Sequence, residues 1–86
     1  MSIRTSPTVL VVDDDAEGRS AMLKVLESVG YKTLEADNGQ QGLDIILQES
    51  VDVLVTDLRL PVLDGVELLK RAKAADQEIE VILIKG

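Results

Sequence analysis

The chain has 86 residues, of which 45% are hydrophobic, and this length fits one domain with one core. Its formal net charge is −7, it contains no histidine and no cysteine, and Tyr31 is its single aromatic residue. This composition excludes disulfides and thiolate metal sites, and it offers neither a basic surface nor stacking rings for direct binding of nucleic acid.

The N-terminal residues show no targeting signal. Residues 1–7 lack an apolar signal core, and no apolar run of the chain approaches the roughly 20 residues that a membrane span needs. We expect residues 1–7 to be a flexible segment and residues 8–86 to form the domain, in a cytoplasmic protein that is not inserted in a membrane.

The first predicted elements are a buried strand and an amphipathic helix. Residues 8–12, "TVLVV", form a continuous β-branched apolar run, which is typical of a strand covered on both faces in the middle of a sheet. A helix is predicted over residues 16–29, with Gly30 as its stop. Its apolar stripe is Ala21, Met22, Val25, Leu26 and Val29, and Arg19, Lys24 and Glu27 lie off that stripe.

The next two elements repeat the order of strand and helix. Residues 31–36, "YKTLEA", alternate weakly between apolar and polar, which indicates a strand nearer an edge of the sheet. The turn residues "DNG" then lead into a second helix over residues 41–49, with Leu43, Ile46 and Leu47 as its apolar positions.

The remaining segments complete the alternation. Residues 51–57, "VDVLVTD", predict a strand that ends in Asp57, and residues 58–65 predict a loop punctuated by Pro61 and Gly65. Residues 66–75 predict a third helix, and residues 79–86 predict a fourth strand.

Strands that alternate with helices indicate a doubly wound α/β fold, in which a parallel sheet carries helices on both faces. Ligands of such folds bind beyond the carboxyl ends of the strands. Asp13, Asp14 and Asp15 follow the first strand and Asp57 ends the third, so we expect these carboxylates to meet at one edge of the sheet.

Helix capping accounts for only part of this acidic group. Asp15 is predicted to cap the helix that follows it, because a carboxylate there accepts backbone N–H bonds. Asp13, Asp14 and Asp57 would repel one another unless a cation or a proton were present. Oxygen ligands without histidine or cysteine favour a hard ion, and Mg²⁺ fits best because it binds through one or two carboxylates and keeps positions for phosphate oxygens.

The segments "VLVVDDD", "VLVTDLRLPVLDG" and "VILIKG" resemble the receiver domain of two-component response regulators over residues 8–86. The resemblance implies a flavodoxin-like sheet of order 2-1-3-4-5 and a phosphoacceptor at Asp57. It implies Mg²⁺ held by Asp13, Asp14, Asp57 and the backbone carbonyl of Arg59. It also implies a histidine kinase or a phosphotransfer protein as phosphodonor, and a signalling domain rather than an enzyme.

The chemistry of these residues suits a phosphoacceptor site, independently of the family resemblance. A carboxylate acts as a nucleophile toward phosphorus when the charge on the transferred group is neutralised, and a bound Mg²⁺ supplies that neutralisation. In the loop after Asp57, Pro61 restricts the backbone, Asp64 is a candidate cap of the third helix, and Gly65 provides either a positive φ or a close approach.

The sequence departs from the receiver pattern in two places. Lys85 stands where receivers carry a threonine or serine at the end of the fourth strand. The fold would need roughly 110–120 residues, so the 86 residues are expected to form a truncated receiver that lacks the fourth helix, the fifth strand and the fifth helix. Lys85 is then either a solvated charge or a group beside Asp57 that partly replaces the lysine of the fifth strand.

An open fourth strand leads to a prediction about assembly. Val81, Ile82, Leu83 and Ile84 would form an apolar edge without a neighbouring strand. We therefore expect a homodimer or a domain-swapped oligomer. The alternative function is a degenerate receiver that serves as a dimerisation or protein-interaction module without phosphotransfer.

A different class of protein shares one motif with this chain. "VVDDDAE" also resembles the strand-end motif of haloacid-dehalogenase-type phosphohydrolases, in which Asp13 would be the nucleophile and Asp15 the general acid. The threonine or valine of that motif would fall at Glu17, and "TDLRLPVLDG" has no counterpart in it. The receiver resemblance is therefore favoured.

Overall fold

The computed structural model describes residues 6–84, so Lys85 and both of its proposed roles lie outside the described residues. Every predicted element is present and begins within two residues of its predicted start. The strands are β1 (Thr8–Val12), β2 (Lys32–Ala36), β3 (Val53–Asp57) and β4 (Glu80–Ile84), and the helices are α1 (Ala16–Ser28), α2 (Gly39–Gln48) and α3 (Gly65–Ala75).

The four strands form one parallel sheet in the order β2-β1-β3-β4. The β-branched run of β1 lies in the middle of this sheet, and β2 lies at one edge, as predicted. The doubly wound, flavodoxin-like fold is confirmed, and the fourth helix, fifth strand and fifth helix of that fold are not among the elements formed by these residues.

Hydrophobic side chains fill both sides of the sheet, because successive residues of a strand point to opposite faces. On one face, α2 and α3 cover the larger cluster, which includes Leu10, Leu54 and Leu68. On the other face, α1 covers a smaller cluster around Val11 and Val55. Among the helices of the described segment, none is long and apolar enough to cross a membrane.

The predicted apolar stripe of α1 is partly wrong. Met22 and Leu26 pack against the sheet as expected, and Leu23, which the stripe omitted, packs beside them. Val25 and Val29 are each 64% exposed. The helix therefore turns a neighbouring stripe to the sheet and leaves two valines of the predicted stripe without cover.

The fourth strand is an apolar edge, as the sequence predicted. β4 pairs with β3 on one side, and Ile82 and Leu83 remain 51% and 39% exposed. Since adjacent residues of a strand point to opposite faces, both faces of the sheet are incompletely covered at this edge.

Candidate metal centre

The predicted acidic cluster is assembled at the carboxyl ends of two neighbouring strands. Asp13 follows β1 and Asp57 ends β3, and the two strands are paired through Val12 and Thr56. Asp13 and Asp57 are only 8% and 5% exposed, whereas Asp14 lies exposed beside them. One carboxylate oxygen from each of the three aspartates lies within 4.8 Å of the others.

Asp13 is held in place through its backbone and its side chain. Its amide donates to the carbonyl of Ala36 at 3.1 Å, which continues the pairing of β1 with β2. Its Oδ1 accepts from the amide of Asp15 at 2.9 Å. The chain therefore turns sharply after β1 and keeps the Asp13 carboxylate at the sheet edge.

The prediction that the Asp15 side chain caps α1 is wrong. Asp15 occupies the N-cap position, but within residues 6–84 its carboxylate makes no capping hydrogen bond. A Cβ on Gly18 would lie 3.0 Å from Asp15 Oδ2, so the Asp15 carboxylate occupies space that the glycine leaves open. Sequence position identified the cap residue but not the orientation of its side chain.

Asp57 is oriented by the start of the loop that follows it. The amide of Arg59 donates to Asp57 Oδ1 at 3.1 Å, and the hydroxyl of Thr56 donates to the Asp57 carbonyl at 3.0 Å. The predicted role of the Arg59 carbonyl as a metal ligand stays a prediction.

The loop between β3 and α3 contains a strained turn. The amide of Leu63 donates to the carbonyl of Pro61 at 2.8 Å, and Val62 between them has φ 73°. A β-branched residue rarely adopts a positive φ, so valine gave no signal for this turn. Asp64 caps α3 as predicted, because its Oδ1 accepts from the amide of Glu67 at 2.9 Å.

The sequence left two reasons for a glycine at position 65, a positive φ or a close approach of another part of the backbone. The structure shows the second: the backbone of Asp57 and Leu58 lies against Gly65. Gly65 is buried, and its amide donates to the carbonyl of Leu58 at 3.0 Å. A Cβ at this position would lie 2.1 Å from the Asp57 carbonyl oxygen and 3.0 Å from Leu58 Cα. The start of α3 therefore packs directly on the backbone that carries Asp57.

The donor set fits a magnesium ion. Asp13, Asp14 and Asp57 offer carboxylate oxygens, which are the ligands that Mg²⁺ prefers. One oxygen from each carboxylate lies within 4.8 Å of the other two, a spacing at which the three side chains could hold one ion.

Arg19 is a residue of the site region that the sequence prediction missed. Its side chain is 18% exposed, its Nε lies 2.8 Å from Glu35 Oε1, and its Nη1 donates to the Asp13 carbonyl at 2.7 Å. The sequence placed Arg19 among the polar residues off the stripe of α1. The available signal was its position four residues after Asp15, where a side chain of the first helical turn faces the acidic loop.

Comparison with known proteins places the chain beside receiver domains. A family model described as the response regulator receiver domain matches residues 9–86. Sporulation initiation phosphotransferase F of Bacillus subtilis is 41% identical over 76 residues, which are 88% of this chain and 61% of that protein. Transcriptional regulatory protein FixJ of Bradyrhizobium diazoefficiens is 37% identical over 82 residues, or 95% of this chain and 40% of that protein.

Solved structures with the same fold are also similar in sequence. A CheY-like response regulator receiver domain protein from Methanospirillum hungatei superposes with a TM-score of 0.92 at 29% identity, over 95% of this chain and 66% of that one. The receiver domain of a sensor histidine kinase from Pseudomonas aeruginosa has a TM-score of 0.85 at 25% identity, over 92% of this chain and 66% of that one. That second structure holds a magnesium ion in its active-site cleft.

Proposed function

The chain belongs to the response regulator receiver domain family, and from this premise we propose that it accepts a phosphoryl group on Asp57. The donor would be the phosphohistidine of a histidine kinase or of a phosphotransfer protein. The observation that carries the proposal is the approach of Asp57 to Asp13 and Asp14, with oxygens within 4.8 Å, at the carboxyl edge of the sheet. This is the role of a regulatory phosphoacceptor rather than of a catalyst that acts on a separate substrate.

The transfer forms one bond and breaks one bond. A carboxylate oxygen of Asp57 attacks phosphorus, the bond from phosphorus to the donor's imidazole nitrogen breaks, and an acyl phosphate results. The phosphohistidine reacts with its other ring nitrogen protonated, so the bonding electron pair goes to nitrogen and the donor histidine leaves as neutral imidazole. The amide of Arg59, 3.1 Å from Asp57 Oδ1, fixes the orientation of the nucleophile.

Magnesium is the proposed cofactor of this transfer. Asp13, Asp14 and Asp57 would hold the ion with the backbone carbonyl of Arg59. When bound, Mg²⁺ neutralises charge on the transferring phosphoryl group. The mutual repulsion of the three carboxylates also favours occupation by a cation.

Acetyl phosphate provides the test of this proposal. With acetyl phosphate and Mg²⁺, we expect the 86-residue chain to gain one phosphoryl group slowly, because the nucleophile and the metal ligands are present while Lys85 replaces the usual threonine or serine. Chelation of Mg²⁺ should suppress the labelling. Intact-mass spectrometry over time measures both effects.

Two outcomes would count against this expectation. Labelling that proceeds unchanged under chelation would show that the transfer does not require Mg²⁺. Absence of any labelling, in protein shown to be folded by its NMR spectrum, would favour the alternative in which the chain is an interaction module without phosphotransfer. A slower rate in Lys85→Ala would support a charge-stabilising role of Lys85, whose preceding residue Ile84 pairs with Asp57 in the sheet.

We also propose that the 86-residue chain forms a homodimer, either by pairing of β4 edges or by exchange of elements between chains. The supporting observation is the exposure of Ile82 and Leu83 on β4, together with Val25 on α1 and Val29 at the C-cap of that helix. Apolar strand edges are sites of strand addition, and a two-fold axis lets each copy cover the same surface of the other. Strand pairing about an axis perpendicular to the sheet would be antiparallel.

Sedimentation across a dilution series tests the dimer. We expect the wild-type chain to sediment as a dimer at micromolar concentration and Ile82→Lys to shift toward monomer, because a charge on the edge opposes strand addition. Leu47→Lys is the matched control, since Leu47 is 64% exposed on α2, a helix that contacts β1, β2 and α3. A folded wild-type monomer at that concentration would contradict this proposal.

A further inference from the structure

We propose that Arg19 is a positioning residue for the metal site, which fixes the backbone of the acidic loop without contributing a ligand. This inference rests on the proposed function, because it concerns the magnesium site formed by Asp13, Asp14 and Asp57. It adds a residue on α1 to a site whose other members lie on strand ends and in the loop after β3.

The Arg19 side chain holds the start of the acidic loop. Its guanidinium Nη1 donates to the Asp13 carbonyl at 2.7 Å, while the bond from the Arg19 backbone amide to the Asp15 carbonyl is the first hydrogen bond of α1 and does not depend on the side chain. The Asp13 carbonyl belongs to the peptide group that joins Asp13 to Asp14. Fixing that peptide group therefore fixes the direction from which Asp14 leaves the strand end.

The guanidinium is itself held by β2. Its Nε donates to Glu35 Oε1 at 2.8 Å, and Glu35 is paired in register with Val11 of the central strand. Arg19 is therefore fixed to the sheet at one side and to the acidic loop at the other. The bond from Nη1 to the Asp13 carbonyl is charge-assisted and partly buried, whereas the Glu35 side chain is 56% exposed and its ion pair with Arg19 is weakened by solvent.

Two donors of one planar group serve two acceptors that are fixed on different elements. Lysine retains the positive charge but not the planar fork, so it cannot reproduce this pair of contacts with the same geometry. Hydrogen-bonding partners of metal-ligating groups change metal affinity by about 10–100-fold when they are replaced, and Arg19, which holds the backbone of a ligand residue rather than its carboxylate, is expected at the lower end of that range.

The direction of the change in Mg²⁺ affinity distinguishes a positioning role of Arg19 from a purely electrostatic effect of its charge. Removing a cation near a magnesium site lowers electrostatic repulsion, and on charge alone Mg²⁺ binding would become tighter. Loss of a positioning residue has the opposite effect, because the ligands then sample orientations that do not bind. A weaker affinity in Arg19→Ala therefore cannot arise from the change in local charge.

The experiment is a Mg²⁺ titration of the 86-residue chain, followed by the backbone amide NMR shifts of Asp13 and Asp57. We expect Arg19→Ala and Arg19→Lys each to weaken Mg²⁺ binding about 10-fold. Arg71→Ala is the matched control, since Arg71 forms a half-exposed ion pair with Glu67 on α3, and its affinity should stay within about twofold of wild type.

A second readout uses the metal-free protein. The amide of Asp15 donates to Asp13 Oδ1, and we expect its hydrogen exchange to accelerate in both Arg19 variants but not in Arg71→Ala. If Arg19→Ala fails to fold, Arg19→Lys still tests the positioning role, because lysine keeps the charge and most of the side chain.

The outcomes distinguish this inference from the proposed function. Unchanged or tighter Mg²⁺ binding in a folded Arg19 variant, or full rescue by Arg19→Lys, would overturn the positioning role while the site itself stands. Absence of Mg²⁺-dependent shifts in the wild-type chain would instead overturn the proposed metal site, and the role of Arg19 with it.

Discussion

Asp57→Asn is expected to abolish phosphoryl acceptance while leaving the fold intact. Asparagine has nearly the same shape, and its carbonyl oxygen can still accept from the Arg59 amide that lies 3.1 Å from Asp57 Oδ1. An amide is not a nucleophile that forms an acyl phosphate, so labelling by acetyl phosphate should fall to background. Removing one of three neighbouring carboxylates also relieves their mutual repulsion, which favours the folded state.

Asp52→Asn is the matched control for this substitution. Asp52 Oδ2 accepts from the amide of Thr8 at 2.8 Å, so its change to asparagine also alters a carboxylate that receives a backbone hydrogen bond. Asp52 precedes β3, whereas Asp57 ends it, and the two are therefore at opposite ends of the same strand. We expect Asp52→Asn to be labelled like wild type; labelling of Asp57→Asn at the wild-type rate would contradict the assignment of the nucleophile.

Gly65→Ala is expected to lower the free energy of unfolding by about 3 kcal/mol, near the upper end for overpacking. The added Cβ would lie 2.1 Å from the Asp57 carbonyl oxygen, and neither backbone can move away without displacing β3 or α3. This loss is a large share of the stability of a small domain. Chemical denaturation followed by circular dichroism measures it.

Gly18→Ala is the control for the general effect of adding a methyl group to a helical glycine. At Gly18 the nearest contact of a new Cβ is Asp15 Oδ2 at 3.0 Å, the far end of a side chain that can rotate. Alanine is favoured over glycine in a helix by about 1 kcal/mol, so this variant should be as stable as wild type or more so. Equal stability of Gly65→Ala and Gly18→Ala would show that α3 does not pack on the Asp57 backbone as described.

The order of elements was predictable because each has a local pattern that the sheet reinforces. The run from Thr8 to Val12 is apolar on both faces because β1 is covered on both faces. Asp64 was identifiable as a cap from its position before α3, and its side chain makes the expected bond. Asp13 and Asp57 were expected to meet because the carboxyl ends of parallel strands share one edge.

Other features depend on packing that no local pattern encodes. Periodicity showed that α1 is amphipathic but not that Leu23 rather than Val25 faces the sheet, since adjacent stripes of a helix differ by about one residue. The positive φ of Val62 follows from closure of a tight turn, and valine is a residue that does not favour it.

Two site residues illustrate the same limit. A glycine at position 65 could serve a positive φ or a close backbone approach, and only the position of the Asp57 carbonyl distinguishes the two. Arg19 looked like a solvated helix residue because its partners, the Asp13 carbonyl and Glu35, come close only after β2 pairs with β1.

Asp57 is the proposed nucleophile of a magnesium-dependent phosphoacceptor site. Borohydride reduction identifies the nucleophile, because it converts an aspartyl phosphate to homoserine and marks the residue that carried the phosphate. After labelling with acetyl phosphate and Mg²⁺, peptide sequencing by mass spectrometry should find homoserine at Asp57. Homoserine at Asp13, as the phosphohydrolase-like alternative requires, or no conversion at any aspartate in a labelled sample, would contradict the assignment of Asp57 as the nucleophile.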